Sequence, residues 1–264
     1  MAKNRPLVVV GIDLAGSPKR PTGLCVLREL IAETCVAFSD DDILAFVRRA
    51  QPALVPIDAP LSLPNGRRTV HDRSGEHLRE CDRELLRRGI RFFPITLGPM
   101  RMLTERGLDL KKHLAGMGYQ TVECYPGAAQ DLWRIPRQHK DRLGLLTGLR
   151  KLGLCGLKKT ATSDELDAAT AALVGRWSLL GQGLMLGGEA GILIPAFDER
   201  HEGSKELKTP RIKTKTLMGA WHDSDDTHWT SSPAPNLHGQ RDHVKASIRQ
   251  VMQIGEIFKH RNIF

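Results

Sequence analysis

Five carboxylates stand where a folded sheet could gather them: Asp13, Asp58, Glu123, and the pair Asp164 and Asp167. Asp13 closes the apolar run LVVVGID, Asp58 closes ALVPID, and Glu123 lies near the end of YQTVEC. Asp164 and Asp167 are three apart in SDELDAATAAL, so on a helix they share one face. Functional groups of an open α/β sheet collect just beyond the carboxyl ends of its strands. Acids brought together there repel by roughly several kcal/mol at ~4 Å in a poorly hydrated site. A hard divalent cation removes that cost, and an all-oxygen donor set without nearby Cys or His selects Mg2+ or Mn2+ over zinc. Two such ions ~4 Å apart activate water and stabilise a leaving oxygen in phosphodiester cleavage.

Each acid also has a structural alternative. Asp13 can cap the turn at Ala15 and Gly16, and Asp58, before Ala59 and Pro60, can form an Asx-turn. Asp164 suits a helix N-terminus, and Glu123 can pair with an arginine. Asp167 is the hardest to place on a surface, because AATAAL follows it. The joint occurrence, with three strands ending in acids and one helix adding a pair, favours the catalytic reading.

A second cluster is basic. Arg79, Arg83, Arg87, Arg88 and Arg91 interleave with Glu80, Asp82 and Glu84. Planar guanidinium forks suit a substrate phosphate, and Arg79, Arg83 and Arg87 are the candidates for binding it. The competing reading, a solvated helix face laced with ion pairs, is the favoured one. Arg67, Arg68 and Arg101 are further phosphate candidates. Tyr125 and Trp133 offer rings for stacking a base, although core or hinge packing is the stronger reading for both.

The elements that must position these groups alternate between strands and helices. Residues 7–13, 24–30, 31–38, 53–58 and 119–124 read as strands from their length and apolar content. Ser39, then three aspartates, then ILAFVRRA is a capped helix with acids at its start and arginines at its end. Residues 76–88, 102–117 and 139–152 carry helical periodicity, and 162–180 is the clearest helix, with Ser163 as its cap. Residues 192–194 form a short terminal strand. The pattern predicts an α/β fold with a mixed sheet.

Five motifs in order, VGIDLAG, PIDAPLSLP, RECDRELLRRG, TVECYPGA and SDELDAATAALVG, resemble the DUF429 family, whose members are predicted nucleases of the ribonuclease H-like fold. The resemblance spans roughly residues 7–198. It implies a five-stranded mixed sheet, three antiparallel strands followed by two parallel ones, flanked by helices. It also implies that Asp13, Asp58 and the pair Asp164 and Asp167 form the metal-holding set of a resolvase-like site. Glu123 matches a family motif but lies outside that four-acid pattern, as an extra ligand or a group that orients a water.

The 264 residues carry a net charge of +9, which favours a polyanionic partner, DNA or RNA, through counterion release. Only 5% are aromatic, too few for a surface lined with stacking rings. The five cysteines lack metal-ligand spacing, which fits a reducing, cytoplasmic setting. No signal peptide or 18-residue apolar span is visible. Residues 1–200 read as the ribonuclease H-like domain, and 201–264 as a polar C-terminal extension with a candidate docking helix over 242–258. The function read from these features is a metal-dependent nuclease. The alternatives are a non-catalytic nucleic-acid-binding module and a nucleotide phosphohydrolase or phosphotransferase of the actin-like superclass. A P-loop enzyme is disfavoured because GIDLAGSPKRPTG is not followed by GKS or GKT, and the actin-like reading because the chain shows no duplicated domain with a second phosphate loop.

Overall fold

A computed structural model of the chain describes residues 7–196. The extension at 201–264 and its candidate helix lie outside the described residues. The chain opens with an antiparallel meander, β1 (Val8–Asp13), β2 (Thr22–Arg28) and β3 (Ile31–Ala37). Successive β1 side chains face opposite sides of the sheet. Val10 and Ile12 enter one core, and Val9 enters the other. Ser39 caps α1 (Asp40–Ala50) by accepting the Asp42 N–H, and Gln51 closes the helix in a left-handed conformation. The chain then returns through β4 (Val55–Asp58), which pairs in parallel with β1.

Helices α2 (Glu80–Arg87) and α3 (Gly98–Gly116) precede β5 (Thr121–Cys124), which is parallel to β4. Three helices follow, α4 (Pro126–Leu132), α5 (Arg142–Lys151) and α6 (Ser163–Leu179), and then β6 (Gly183–Leu186) and β7 (Ile192–Pro195). The sheet order is β3-β2-β1-β4-β5-β7-β6. The order and directions of β1–β5 are those of the ribonuclease H-like fold.

The sheet has seven strands rather than the expected five. After α6 the chain rejoins the sheet, with β7 parallel to β5 and β6 antiparallel to β7. The β6 sequence GLML has no β-branched residue and lies between Gly181 and Gly187, so nothing local marks it as a strand. Helix α4 is equally hard to read, because PGAAQDL spans fewer than two turns and opens on Pro and Gly.

Helix α6 is buried along nearly its whole length from Leu166 to Arg176. The sheet covers one side of it. Trp133, Leu145, Leu146 and Leu149 cover the other, and the Trp133 ring meets Trp177 edge-on at 5.1 Å. Trp133 therefore packs in the core and is not a surface for a base. Thr162, one residue before the expected Ser163, caps α6. Its hydroxyl accepts the Glu165 N–H while Glu165 accepts the Thr162 N–H.

Missing side chains allow α6 to lie close on the sheet. A β-carbon on Gly23 of β2 would lie 2.0 Å from the Asp164 carbonyl oxygen. One on Gly11 of β1 would lie 2.0 Å from the Ala168 carbonyl oxygen. On the helix side, a β-carbon on Gly175 would meet Pro56 Cγ at 2.3 Å. Together these three glycines seat the helix against β1, β2 and β4, with its N-terminal turn above the end of β1.

Candidate active site

Asp13 and Asp58 are the last residues of β1 and β4 and are direct partners in the parallel register. Neighbouring strands lie ~4.8 Å apart, and paired residues point to the same face. That face is the one α6 covers, because Gly11, two residues before Asp13, touches Ala168 and Ala172. Asp13 also pairs with Gly23, directly beneath Asp164. One sheet edge and one helix turn thus bring Asp13, Asp58, Asp164 and Asp167 together. Among the described residues, no donor hydrogen-bonds to the carboxylates of Asp13, Asp58 or Asp164.

Electrostatics record the crowding. Burial pushes the Asp13 carboxyl well above its ordinary range, and the charges of Asp58, Asp167 and Asp164 push it further. Burial likewise raises Asp58, with Asp167 and Glu123 adding to the rise and Arg137 opposing it. Asp167 is raised to about 7, chiefly by burial and also by Asp164. The Gln130 hydrogen bond and the Arg137 charge restrain that rise. Burial raises Asp164 too, against the pull of Arg20.

Glu123 belongs to a different environment. It pairs with Ile57, the residue before Asp58, so it points to the opposite face of the sheet. There it is bound bidentately by Arg79, Nη1 to Oε2 at 2.6 Å and Nη2 to Oε1 at 2.8 Å, and it accepts the Leu61 N–H at 2.7 Å. Burial raises its carboxyl, and Arg79 offsets much of that.

The arginines expected to hold a substrate phosphate have other partners. Arg79 is 6% exposed and also grips Asp82, through Nε at 3.1 Å and Nη2 at 2.8 Å, so it has no surface from which to meet a substrate. Arg83 pairs with Glu76 at 2.6 Å and Glu80 at 3.3 Å. Arg87 pairs with Glu80 at 3.0 Å and with Glu84. These contacts are the helix ion pairs of the competing sequence reading.

Two site neighbours, Gln130 and Arg137, escaped the sequence reading, and Tyr125 joins them. Gln130, on α4, is buried and donates Nε2–H to Asp167 Oδ1 at 2.6 Å, and it also reaches Thr170 Oγ1 at 3.2 Å. Its signal was a lone amide in the apolar run PGAAQDLW. Arg137 forks onto Asp131, at 3.0 Å through Nε and 2.5 Å through Nη2. It lies over the Tyr125 ring at 5.4 Å and donates to the Tyr125 hydroxyl at 2.8 Å. Tyr125 also packs, partly buried, against the core cluster of Leu85, Ile90 and Ala128.

The donor chemistry suits a hard cation. Unpartnered, mutually repelling carboxylate oxygens are what Mg2+ and Mn2+ bind, commonly through one or two carboxylates with water and substrate oxygens completing the shell. Among the described residues, no three His, Cys, Asp or Glu side chains are spaced to enclose a metal ion by themselves. A two-carboxylate arrangement on Asp13 and Asp58 is compatible with that spacing.

The mixed sheet thus carries Asp13 and Asp58 side by side at the ends of β1 and β4. Residues 11–190 match the family described as "Protein of unknown function (DUF429)", and the chain belongs to that family. No curated protein matches the chain. Among solved structures it is similar to Thermus thermophilus RuvC in complex with a Holliday junction substrate, with 15% identity, a TM-score of 0.41, and 66% of this chain and 97% of that chain covered. It is similar also to a second Thermus thermophilus RuvC structure, with 15% identity, a TM-score of 0.40 and the same coverage, 66% and 97%. No helix among the described residues is long and apolar enough to cross a membrane.

Proposed function

We propose that this protein is a divalent-metal-dependent nuclease that hydrolyses phosphodiester bonds at the edge formed by Asp13 and Asp58. The observation that carries the reading is their side-by-side register beneath Asp164 and Asp167, with no internal donor on three of the four carboxylates. Asp13 and Asp58 would hold Mg2+ or Mn2+, with Asp164 and Asp167 completing the acidic set. When bound, such an ion polarises a phosphoryl oxygen and lowers the pKa of a coordinated water. Asp167, raised to about 7 and aimed by Gln130, can hold or release a proton near neutral pH. Arg137 lends positive charge to Asp58 and Asp167 and limits their mutual repulsion. Glu123 acts differently from the four: it anchors the Leu61 N–H, and with it the segment that follows Asp58.

The partner in this reading is nucleic acid, and the setting is cytoplasmic, in keeping with five free cysteines. The test is incubation of the purified full chain with single-stranded and duplex DNA and RNA in Mg2+ or Mn2+. Cleavage lost in excess chelator and in Asp13→Asn supports the reading. Nucleic-acid binding without cleavage, unchanged by either treatment, would make the protein a binding module instead.

A further inference from the structure

Five arginines lie between positions 79 and 91, and the structure divides them. Arg79, Arg83 and Arg87 are bound to carboxylates. Arg88 and Arg91 are exposed, and among the described residues neither guanidinium has a hydrogen bond or an ion pair. The two flank a turn. Gly89 leaves α2 with φ +70°, and Ile90 is buried as the anchor of the loop. Two residues beyond Arg91, the Phe93 side chain is 72% exposed, the most exposed large apolar residue described. A phenyl ring left in water, two residues from an unpartnered guanidinium, contributes little to the fold.

This loop is tied to the acidic edge. Tyr125, the residue after β5, donates its hydroxyl proton to the Arg91 carbonyl at 2.7 Å. The same hydroxyl accepts from Arg137, whose charge acts on Asp58 and Asp167. The loop, Tyr125, Arg137 and the carboxylates therefore form one connected series.

We propose that residues 88–93 form a subsite for unpaired nucleotides, with Phe93 stacking on a base and Arg88 and Arg91 meeting the flanking phosphates. The proposal rests on the nuclease reading and narrows its substrate to single-stranded or locally unpaired nucleic acid. A base inside a continuous duplex has no open face for the ring, whereas an unpaired base does. Paired arginines such as Arg83 would have to surrender a carboxylate to bind phosphate, and Arg88 and Arg91 would not.

The test measures binding of the full chain to a labelled single strand and to the matching duplex, in excess chelator and again with Ca2+. Phe93→Ala should weaken single-strand binding about tenfold and leave duplex binding unchanged, and Phe93→Trp should restore it. Arg88→Gln with Arg91→Gln should reduce the salt slope of single-strand binding by about 1.4, the value for two lost phosphate contacts. Single-strand affinity unchanged in Phe93→Ala overturns the subsite, and intact metal-dependent cleavage in that variant leaves the nuclease reading standing. Binding that depends on Phe93 in a wild-type protein that cuts nothing in Mg2+ or Mn2+ supports the subsite and sinks the nuclease. Absence of binding to either form overturns both.

Discussion

Asp13 and Asp58 end adjacent parallel strands at the same level, so their carboxylates emerge side by side from one face of the sheet. Burial holds both carboxyls well above their ordinary range, with Asp58 adding to the rise of Asp13 and with Asp167 and Glu123 adding to that of Asp58, so the folded chain carries a local electrostatic cost that a cation would relieve.

Replacing either residue by asparagine should therefore have opposite effects on stability and function. In metal-free buffer, Asp13→Asn and Asp58→Asn should melt higher than the wild type, by about 2–4 °C for each kcal/mol of repulsion removed. Metal-dependent cleavage should fall by more than about 100-fold. Mg2+ or Mn2+ should raise the melting temperature of the wild type and leave both variants unmoved. Calorimetry with and without the ion checks the two melting predictions and a cleavage assay the other, and equal metal-induced shifts in wild type and Asp13→Asn would count against ligation by Asp13.

The pH dependence follows from Asp167. Its carboxyl titrates at about 7 in the folded chain and at ~4 when unfolded. Between those values the folded state keeps a proton that the unfolded state has lost. Stability is thus greatest below ~4 on this account, declines as pH rises to about 7, and is level beyond. Asp167→Asn removes this slope while its amide oxygen can still accept the Gln130 N–H. Urea unfolding from pH 4 to 8 should show the metal-free wild type losing on the order of 1–4 kcal/mol more than the variant.

The seat of α6 makes a steric prediction. In Gly23→Ala the new methyl would collide with the Asp164 carbonyl, a backbone atom that cannot rotate away. The substitution should cost about 1–3 kcal/mol or more and lift Asp164 from the strand ends, weakening Mg2+ affinity as read by metal-induced thermal shift. Gly116→Ala at the end of α3 meets nothing within 4 Å and should change stability by less than about 0.5 kcal/mol.

The pair between Arg79 and Glu123 is buried, so removing one partner should be costly. Arg79→Met leaves two carboxylates, Glu123 and Asp82, without their guanidinium and should lose about 3–5 kcal/mol in chemical denaturation. Adding Glu123→Gln to that variant should recover part of the loss. Additive costs in the double-mutant cycle would show that the two side chains do not interact.

Much of this architecture was legible in the chain. The capped start of α1, the strands LVVVGID and ALVPID, and the alanine-rich α6 are written in local patterns of period two and period 3.6, with caps beside them. The candidate acids were visible because a carboxylate at the end of an apolar run is conspicuous without any fold. Strand β6 was not visible, because GLML becomes a strand only through pairing with β7. The destination of each arginine was also hidden, since Glu123 lies 44 residues from Arg79.

By itself the sequence determined the order of elements, the ends of the strands and the types of residue found there. Tertiary structure alone decided which of those residues meet. A shift of one residue in register turns a side chain to the other face, and it is register that sets Asp58 beside Asp13 and sends Glu123 through the sheet to Arg79. Gly11, Gly23 and Gly175 carry no chemistry that a sequence pattern could single out. Their effect exists only where α6 packs on the sheet, because the room left by an absent side chain matters only to a neighbour that fills it.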